Sequence, residues 1–286
     1  MNWLDILKEA SQKTRREVLL LFGTNEAKIG LGKGAGGDTI TKIDLAAEDA
    51  LIQTLEAHKV SCTLISEETG TLKIGSKPDS FYVTTDPLDG TTNALRGLPF
   101  IATSIAVSKT RNLKDVQIAL VHDILYNVTY TAERHKGTLR NEEQIEPSST
   151  KTLKDAIIGI DFNTFKTKEL ITRLTPLLQQ TKHLRHLGAN ALELCYVADG
   201  TTDAFIDLRG KLRVTDIAAA YLVLREAGGI IVTPTGTELN VPLDAAQKVS
   251  FIATANARLY ANINACLDMT QHQPGHNSMN KNHADF

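Results

Sequence analysis

Aromatic residues are scarce in this chain, at 5% of 286 positions with a single Trp. So thin a supply argues against the stacking platforms with which proteins hold single-stranded nucleic acid. An excess of either charge is also lacking: Lys and Arg number 31 against 33 Asp and Glu, for a formal charge of -2. That balance argues against binding nucleic acid or an anionic membrane through bulk charge, while leaving room for a small local basic site. Cysteine is nearly absent. Cys62, Cys195 and Cys266 are odd in number and far apart, with no CxxC, so neither a disulfide framework nor a structural zinc site is indicated. No apolar run approaches a membrane span. The opening segment reads unlike a secretory leader, because Asp5, Lys8, Glu9, Lys13, Arg15 and Arg16 precede its one short apolar run at 18–22. The remaining composition is ordinary, with 42% hydrophobic and 22% charged residues, enough to bury one large core or two smaller ones. A cytoplasmic enzyme or small-molecule binder is expected.

Hydrophobic spacing and turn residues predict an alternation of strands and helices. Leu4, Leu7, Val18 and Leu21 set one buried face along a helix at 2–22. Six glycines between 23 and 37 read as a mobile loop. Thr41 with Asp44 marks a helix start, and Leu51, Ile52 and Leu55 continue that helix to about His58. Strands are predicted at 61–66, 81–85, 101–108, 116–122 and 126–131. Residues 133–155 are polar and turn-rich and read as the boundary between two halves. Beyond them, strands at 156–161, 183–187, 202–207 and 249–253 alternate with helices at 167–180, 190–198, 215–227 and 256–268. The expected class is α+β or α/β, sheets with helices packed against them. One lobe is expected at 1–150 and a second at 151–270, followed by a polar tail at 271–286 that reads as disordered.

The segment Asp86-Pro87-Leu88-Asp89-Gly90-Thr91-Thr92-Asn93 follows an apolar β run, so two carboxylates leave a strand end together. Pro87 fixes the backbone between them and Gly90 permits a tight turn. Neighbouring carboxylates resist ionisation unless a cation is present, and hard divalent cations such as Mg²⁺ suit oxygen donors. Thr91-Thr92-Asn93 has the composition of a helix start, whose N–H groups can hold a phosphate. Metal-binding carboxylates beside an anion-binding turn point to metal-assisted phosphoryl transfer. Three other segments carry acids: Glu67 and Glu68 at the end of a second apolar run, Asp216 in the first turn of a helix, and Asp44 at a helix start. Each alone has an ordinary explanation, as solvated surface, dipole partner or helix cap.

Taken together and in order, GDTITKID (37–44), SEET (66–69), DPLDGTTN (86–93), VTDIAAA (214–220) and REAGG (225–229) resemble the inositol monophosphatase family of magnesium-dependent, lithium-sensitive sugar phosphatases. TAERHKG (131–137) and LGANAL (187–192) add lesser support, and the resemblance spans roughly residues 10–265. DLRGKLRVTD (207–216) looks most like archaeal-type enzymes that act on both inositol monophosphate and fructose 1,6-bisphosphate. The resemblance implies a layered α-β-α-β-α sandwich with the metal site between two halves, and homodimers.

The same resemblance implies roles. Glu67, Asp86 and the Leu88 carbonyl would hold a first Mg²⁺, Asp86, Asp89 and Asp216 a second, with a third, weaker ion near Glu67. Thr91, paired with Asp44, would polarise the attacking water, while the N–H groups of Gly90 and Thr91 cradle the phosphate. Asp89, Gly188, Ala189 and Asp207 would lie near the sugar ring. Arg185, Arg209, Lys211 and Arg213 are candidates for a second phosphate. Three positions depart from the family pattern: Ala94 and Thr215, where aromatics are usual, and Ser66, where Gly is usual.

Other readings compete. Residues 32–37 match GxGxxG by letter, but no apolar strand precedes them and no GK[ST] is present. The resemblance places this loop beside the metal site, where its glycines and Lys33 would let it close over substrate. A phosphatase for 3′-phosphoadenosine 5′-phosphate or another nucleotide shares the same motifs. A catalytically silent Mg²⁺-dependent binding protein is disfavoured, because Asp44, Glu67, Asp86, Asp89, Thr91 and Asp216 are all retained. The expected partner is a small phosphorylated sugar or cyclitol, with no nucleic acid and no membrane.

Overall fold

A computed structural model of the chain describes residues 2–35, 37, 39–163 and 167–268; the tail at 271–286 lies outside them. Helix α1 (Trp3–Leu21) buries Trp3, Ile6, Leu7, Ala10, Thr14, Val18 and Leu21, the spacing of one apolar stripe. Leu4, expected on that stripe, is only half-buried. Next, β1 (Gly30–Lys33) pairs antiparallel with β2 (Thr39–Thr41). The glycine-rich stretch read as a loop therefore contains a strand. Its partner Thr39-Ile40-Thr41 is β-branched throughout and favours the pairing. Helix α2 (Lys42–Ala57) begins where Thr41 and Asp44 form a capping box.

Strands β3 (Cys62–Ser66), β4 (Gly70–Ile74) and β5 (Tyr82–Asp89) follow, then a short helix α3 (Thr91–Arg96). The chain continues through β6 (Ala102–Ser108), β7 (Val116–Asp123), β8 (Val128–Glu133), β9 (Gly137–Arg140) and β10 (Glu143–Gln144). These eight strands form one sheet in the order β10-β9-β8-β7-β6-β5-β3-β4. The polar stretch 133–155, expected to be a boundary, supplies its last two strands. Asn141 and Glu142 both have positive φ and make the two-residue turn of a hairpin, so the first part of this stretch extends an edge of the large sheet before the small sheet begins at Ile157.

The second run is β11 (Ile157–Ile160), α4 (Lys168–Gln180), β12 (His183–Arg185), α5 (Asn190–Ala198) and β13 (Ala204–Arg213). It ends with α6 (Val214–Ala227), β14 (Ile230–Val232), β15 (Lys248–Thr254) and α7 (Ala257–Asp268). A five-stranded sheet results, in the order β12-β11-β13-β15-β14. Strand β13 outruns its expected end at 207, slipping register against β15 between Asp207 and Leu212. Such a bulge bends a strand, and this one carries Arg209 and Lys211.

Apolar faces set the layering. On one face of the large sheet, Trp3, Leu7, Leu51 and Leu55 of α1 and α2 pack with Leu64, Val83, Ile105 and Leu120. On its other face, α5 and α6 share a core with Ala106, Ala119, Val121 and Tyr130 of that sheet and Phe205, Phe251 and Ala253 of the small one. Beyond the small sheet, Leu174 and Leu177 of α4 and Leu259 and Ile263 of α7 cover Ile158, Ile206 and Ile252. The order helix, sheet, helix, sheet, helix is the expected sandwich. No helix of the described residues is long and apolar enough to cross a membrane.

Candidate active site

The end of β5 carries Asp86 and Asp89, both buried. Register with β6 slips between them, and both line a cleft of about 1190 Å³. Asp86 Oδ1 accepts the Leu88 N–H at 3.0 Å. Asp89 accepts the N–H groups of Asn190 and Ala191 at 2.9 and 2.6 Å. A carboxylate of the large sheet thus meets the positive end of α5, which follows the small sheet's edge strand.

Glu67 follows β3, the parallel neighbour of β5, and Asp216 lies in the first turn of α6. One carboxylate oxygen from each of Glu67, Asp86 and Asp216 lies within 4.8 Å of the others. Acids this close and this buried resist ionising together. Burial first, then Asp216, lifts Glu67 well above its ordinary range, while burial and then Glu67 lift Asp86. Burial, with Asp216 beside it, pushes Asp89 up to about 8. Asp216 is raised by burial against the pull of hydrogen bonds from the Arg213 N–H and the Thr215 hydroxyl, both 2.9 Å. Arg213 offsets part of this charge through its ion pair with Glu67. A convergent set of hard oxygen donors, reluctant to ionise alone, fits a divalent cation.

Asp44 has a separate use for each oxygen. Oδ2 accepts the Thr41 N–H at 2.9 Å and the Thr41 hydroxyl at 2.6 Å, which caps α2. Oδ1 accepts the Thr91 hydroxyl at 2.9 Å. Its pKa is raised by burial and drawn back by these bonds. With the Thr91 hydrogen committed to Asp44, the lone pairs of that hydroxyl remain available to accept from a water in the cleft.

Gly90 is required by this geometry. Its φ is +93°, and a Cβ there would stand 3.0 Å from the Phe100 carbonyl and 3.3 Å from both Ala189 Cβ and the Gly188 carbonyl. Gly90→Ala is expected to cost about 1–2 kcal/mol from the left-handed backbone alone. That predicts a melting temperature lower by roughly 3–6 °C, read by thermal denaturation; an unchanged melt would contradict it.

The expected residues do not all converge. Asp44, Glu67, Asp86, Leu88, Asp89, Gly90, Thr91, Gly188, Arg209 and Asp216 line the cleft. Three candidates are absent from that lining, Ala189 and Asp207 from the ring side and Arg185 from the second-phosphate set. Ala189 is fully buried, with its Cβ against Gly90. Asp207 is fully buried too and accepts from the Arg209 Nε and Nη2. Arg185 is exposed on edge strand β12, its Nη1 donating to the Leu184 carbonyl. Arg209 reaches the cleft already spent, paired at 2.5 Å with both Asp161 and Asp207 and donating to the Asn163 carbonyl at 3.0 Å. A guanidinium neutralised by two carboxylates is poorly placed to bind a phosphate; Lys211, Lys248 and Arg213, the last paired with Glu67, also line the cleft.

Sequence reasoning passed over Asp161, Asn163, His186, Lys248 and Glu193. Asp161 directly follows β11, as Asp89 closes β5, and that placement at a strand end was the available signal. Glu193 is buried and its carboxyl is pushed up to about 7, chiefly by burial; inside an apolar helix it carried no signal beyond its charge.

A family model described as the inositol monophosphatase family matches residues 2–271. A fructose-1,6-bisphosphatase/inositol-1-monophosphatase of Methanothermobacter thermautotrophicus is 34% identical, covering 93% of this chain and 97% of its own. A bifunctional NADP phosphatase/NAD kinase of Methanococcus maripaludis is 34% identical, covering 89% of this chain and 47% of its own. Among solved structures, an inositol monophosphatase-fructose 1,6 bisphosphatase superposes with a TM-score of 0.82 at 29% identity, over 93% of this chain and all of that one.

Proposed function

Because this chain belongs to the inositol monophosphatase family, we propose that it hydrolyses a phosphate monoester on a small sugar or cyclitol, with inositol 1-phosphate and fructose 1,6-bisphosphate the foremost substrates. One observation carries the reading: oxygens of Glu67, Asp86 and Asp216 gather within 4.8 Å, and the Thr91–Asp44 hydroxyl–carboxylate pair lines the same cleft. Glu67, Asp86, the Leu88 carbonyl, Asp89 and Asp216 would hold two to three Mg²⁺ ions. Bound there, the ions would acidify a water and offset charge on the leaving oxygen.

The protein's own groups do the rest. Thr91 accepts a hydrogen bond from the attacking water through Oγ1, oriented by the bond it donates to Asp44. The N–H groups of Gly90 and Thr91 receive the phosphate. Asp89, tied to α5, sets the distance between the phosphate side and the ring side. The remainder of this reading is a homodimer, which rests on the family resemblance, acting in the cytoplasm.

A nucleotide phosphatase is the second reading, supported by the NADP phosphatase relative. The experiment is a panel of inositol 1-phosphate, fructose 1,6-bisphosphate, 3′-phosphoadenosine 5′-phosphate and NADP across a Mg²⁺ titration. Hydrolysis of the first two is expected to dominate. In the same assay Thr91→Ala should lower kcat/KM by roughly 10²–10⁴-fold, the usual scale of acid–base assistance, with Thr91→Ser close to wild type. Folded protein that releases phosphate from none of the four would end the enzymatic reading.

A further inference from the structure

We propose that Glu193 is a positioning residue, whose buried carboxylate holds the Leu187–Gly188 turn as the wall against which the substrate's ring rests. The role of the turn rests on the reading above. Leu187 and Gly188 line the cleft, whereas Glu193 lies inside α5 at 3% exposure, behind them.

Both sides of the turn are clamped. Glu193 Oε1 accepts the N–H of Leu187 at 3.1 Å and of Gly188 at 3.0 Å. From the other side Asn93 Nδ2 donates to the Leu187 carbonyl and to the Phe100 carbonyl, each at 2.8 Å. Gly188 has φ of +87°, and a Cβ there would meet Asn93 Nδ2 at 3.3 Å, so the turn and Asn93 are in near contact. The next amides, of Asn190 and Ala191, go to Asp89. Two carboxylates from opposite directions therefore orient four amides in the stretch from 187 to 191.

The site for Glu193 is built. A Cβ on Gly159 of β11 would stand 2.8 Å from Glu193 Oε2, so that strand carries glycine where the carboxylate needs room. Burying a carboxyl is costly where an apolar side chain would pack more cheaply. Among the described residues, the side-chain hydrogen bonds that repay the cost go to this turn.

Position, not charge, is the operative property, and three substitutions separate the two. Glu193→Gln keeps an acceptor at the same reach. Glu193→Asp keeps the charge but withdraws it by one methylene, and Glu193→Ala removes both. With inositol 1-phosphate and fructose 1,6-bisphosphate, Glu193→Gln should stay within about twofold of wild type. Glu193→Asp and Glu193→Ala should raise KM about tenfold, the scale of two lost hydrogen bonds, with kcat changed less than about threefold. Inhibition by inorganic phosphate should not change, because phosphate sits at Gly90 and Thr91. Amide exchange at Leu187 and Gly188 reads the clamp without turnover: protection should persist in Glu193→Gln and fall in Glu193→Asp.

Unchanged KM and protection in folded Glu193→Asp would overturn the proposal. So would Glu193→Gln being as impaired as Glu193→Asp, or loss of kcat and phosphate binding in step with lost stability. Should Glu193→Ala not fold, the Gln and Asp variants decide. If wild-type protein acts on no substrate, the proposed function falls, and the exchange data still decide the clamp.

Discussion

Asp86→Asn is expected to lower kcat/KM for phosphate-monoester hydrolysis by about three orders of magnitude and, in the same protein, to raise the melting temperature of the metal-free form. The two effects share one cause. Burial, and then the charges of Glu67, Asp89 and Asp216 beside it, hold the Asp86 carboxyl well above its ordinary pKa. Asn keeps the acceptor for the Leu88 N–H, now bonded at 3.0 Å, and can donate to the neighbouring carboxylates. Folding then no longer gathers so much like charge. Relief of about 1–2 kcal/mol would raise the melt by roughly 3–6 °C. Activity moves the other way, because the carboxylate that repels its neighbours is one that would hold the cation. About 4 kcal/mol of lost transition-state stabilisation is about three orders of magnitude. Thermal denaturation in chelator and steady-state kinetics in Mg²⁺ test both halves. A folded variant retaining a tenth of wild-type activity would remove Asp86 from the metal site.

Stability should also depend on pH and Mg²⁺ together. Glu67, Asp86 and Asp216 have raised pKa values, and Asp89 is pushed up to about 8 from an ordinary 3.8. Between those limits the folded protein binds more protons than the unfolded chain, so its stability falls as pH rises through the window. Metal-free protein should therefore melt higher near about pH 5 than near about pH 8. Mg²⁺ acts in the opposite sense, since it competes with protons for the same oxygens. A ligand at a hundred times its Kd stabilises by about 2.7 kcal/mol. Saturating Mg²⁺ should thus raise the melting temperature by roughly 5–10 °C near about pH 8, and by much less near about pH 5. Equal increments at both pH values would show that the cation binds elsewhere.

The local pieces of the site were legible in the residues themselves. Asp86 and Asp89 at a strand end, Gly90 at the turn, Thr91 opening a helix and Asp44 in the first turn after the Thr41 N-cap all follow from short-range rules of hydrophobic runs, glycine and capping. Those rules act within a few residues, so sequence carries them directly. Residues 133–155 show their limit. The stretch was read only as polar and turn-rich, and which of its residues turn and which pair depends on β8 being held in the large sheet to receive them.

Tertiary structure alone decided which charges are used and which are spent. Arg209 looked like a phosphate ligand until Asp161, 48 positions away, and Asp207 were found to neutralise it. Local sequence showed Asp44 only as a helix-start carboxylate; that its second oxygen also reaches Thr91, 47 positions on, was implied by the family resemblance and not by any short-range rule. Glu193 offered no pattern at all until the turn it holds was folded against Asn93. The sequence by itself determined the class of chemistry, because the carboxylates, the turn and the hydroxyl are set by residue type and local backbone. Their partners were decided by the fold, since a charge has no fixed value until burial and its neighbours assign one.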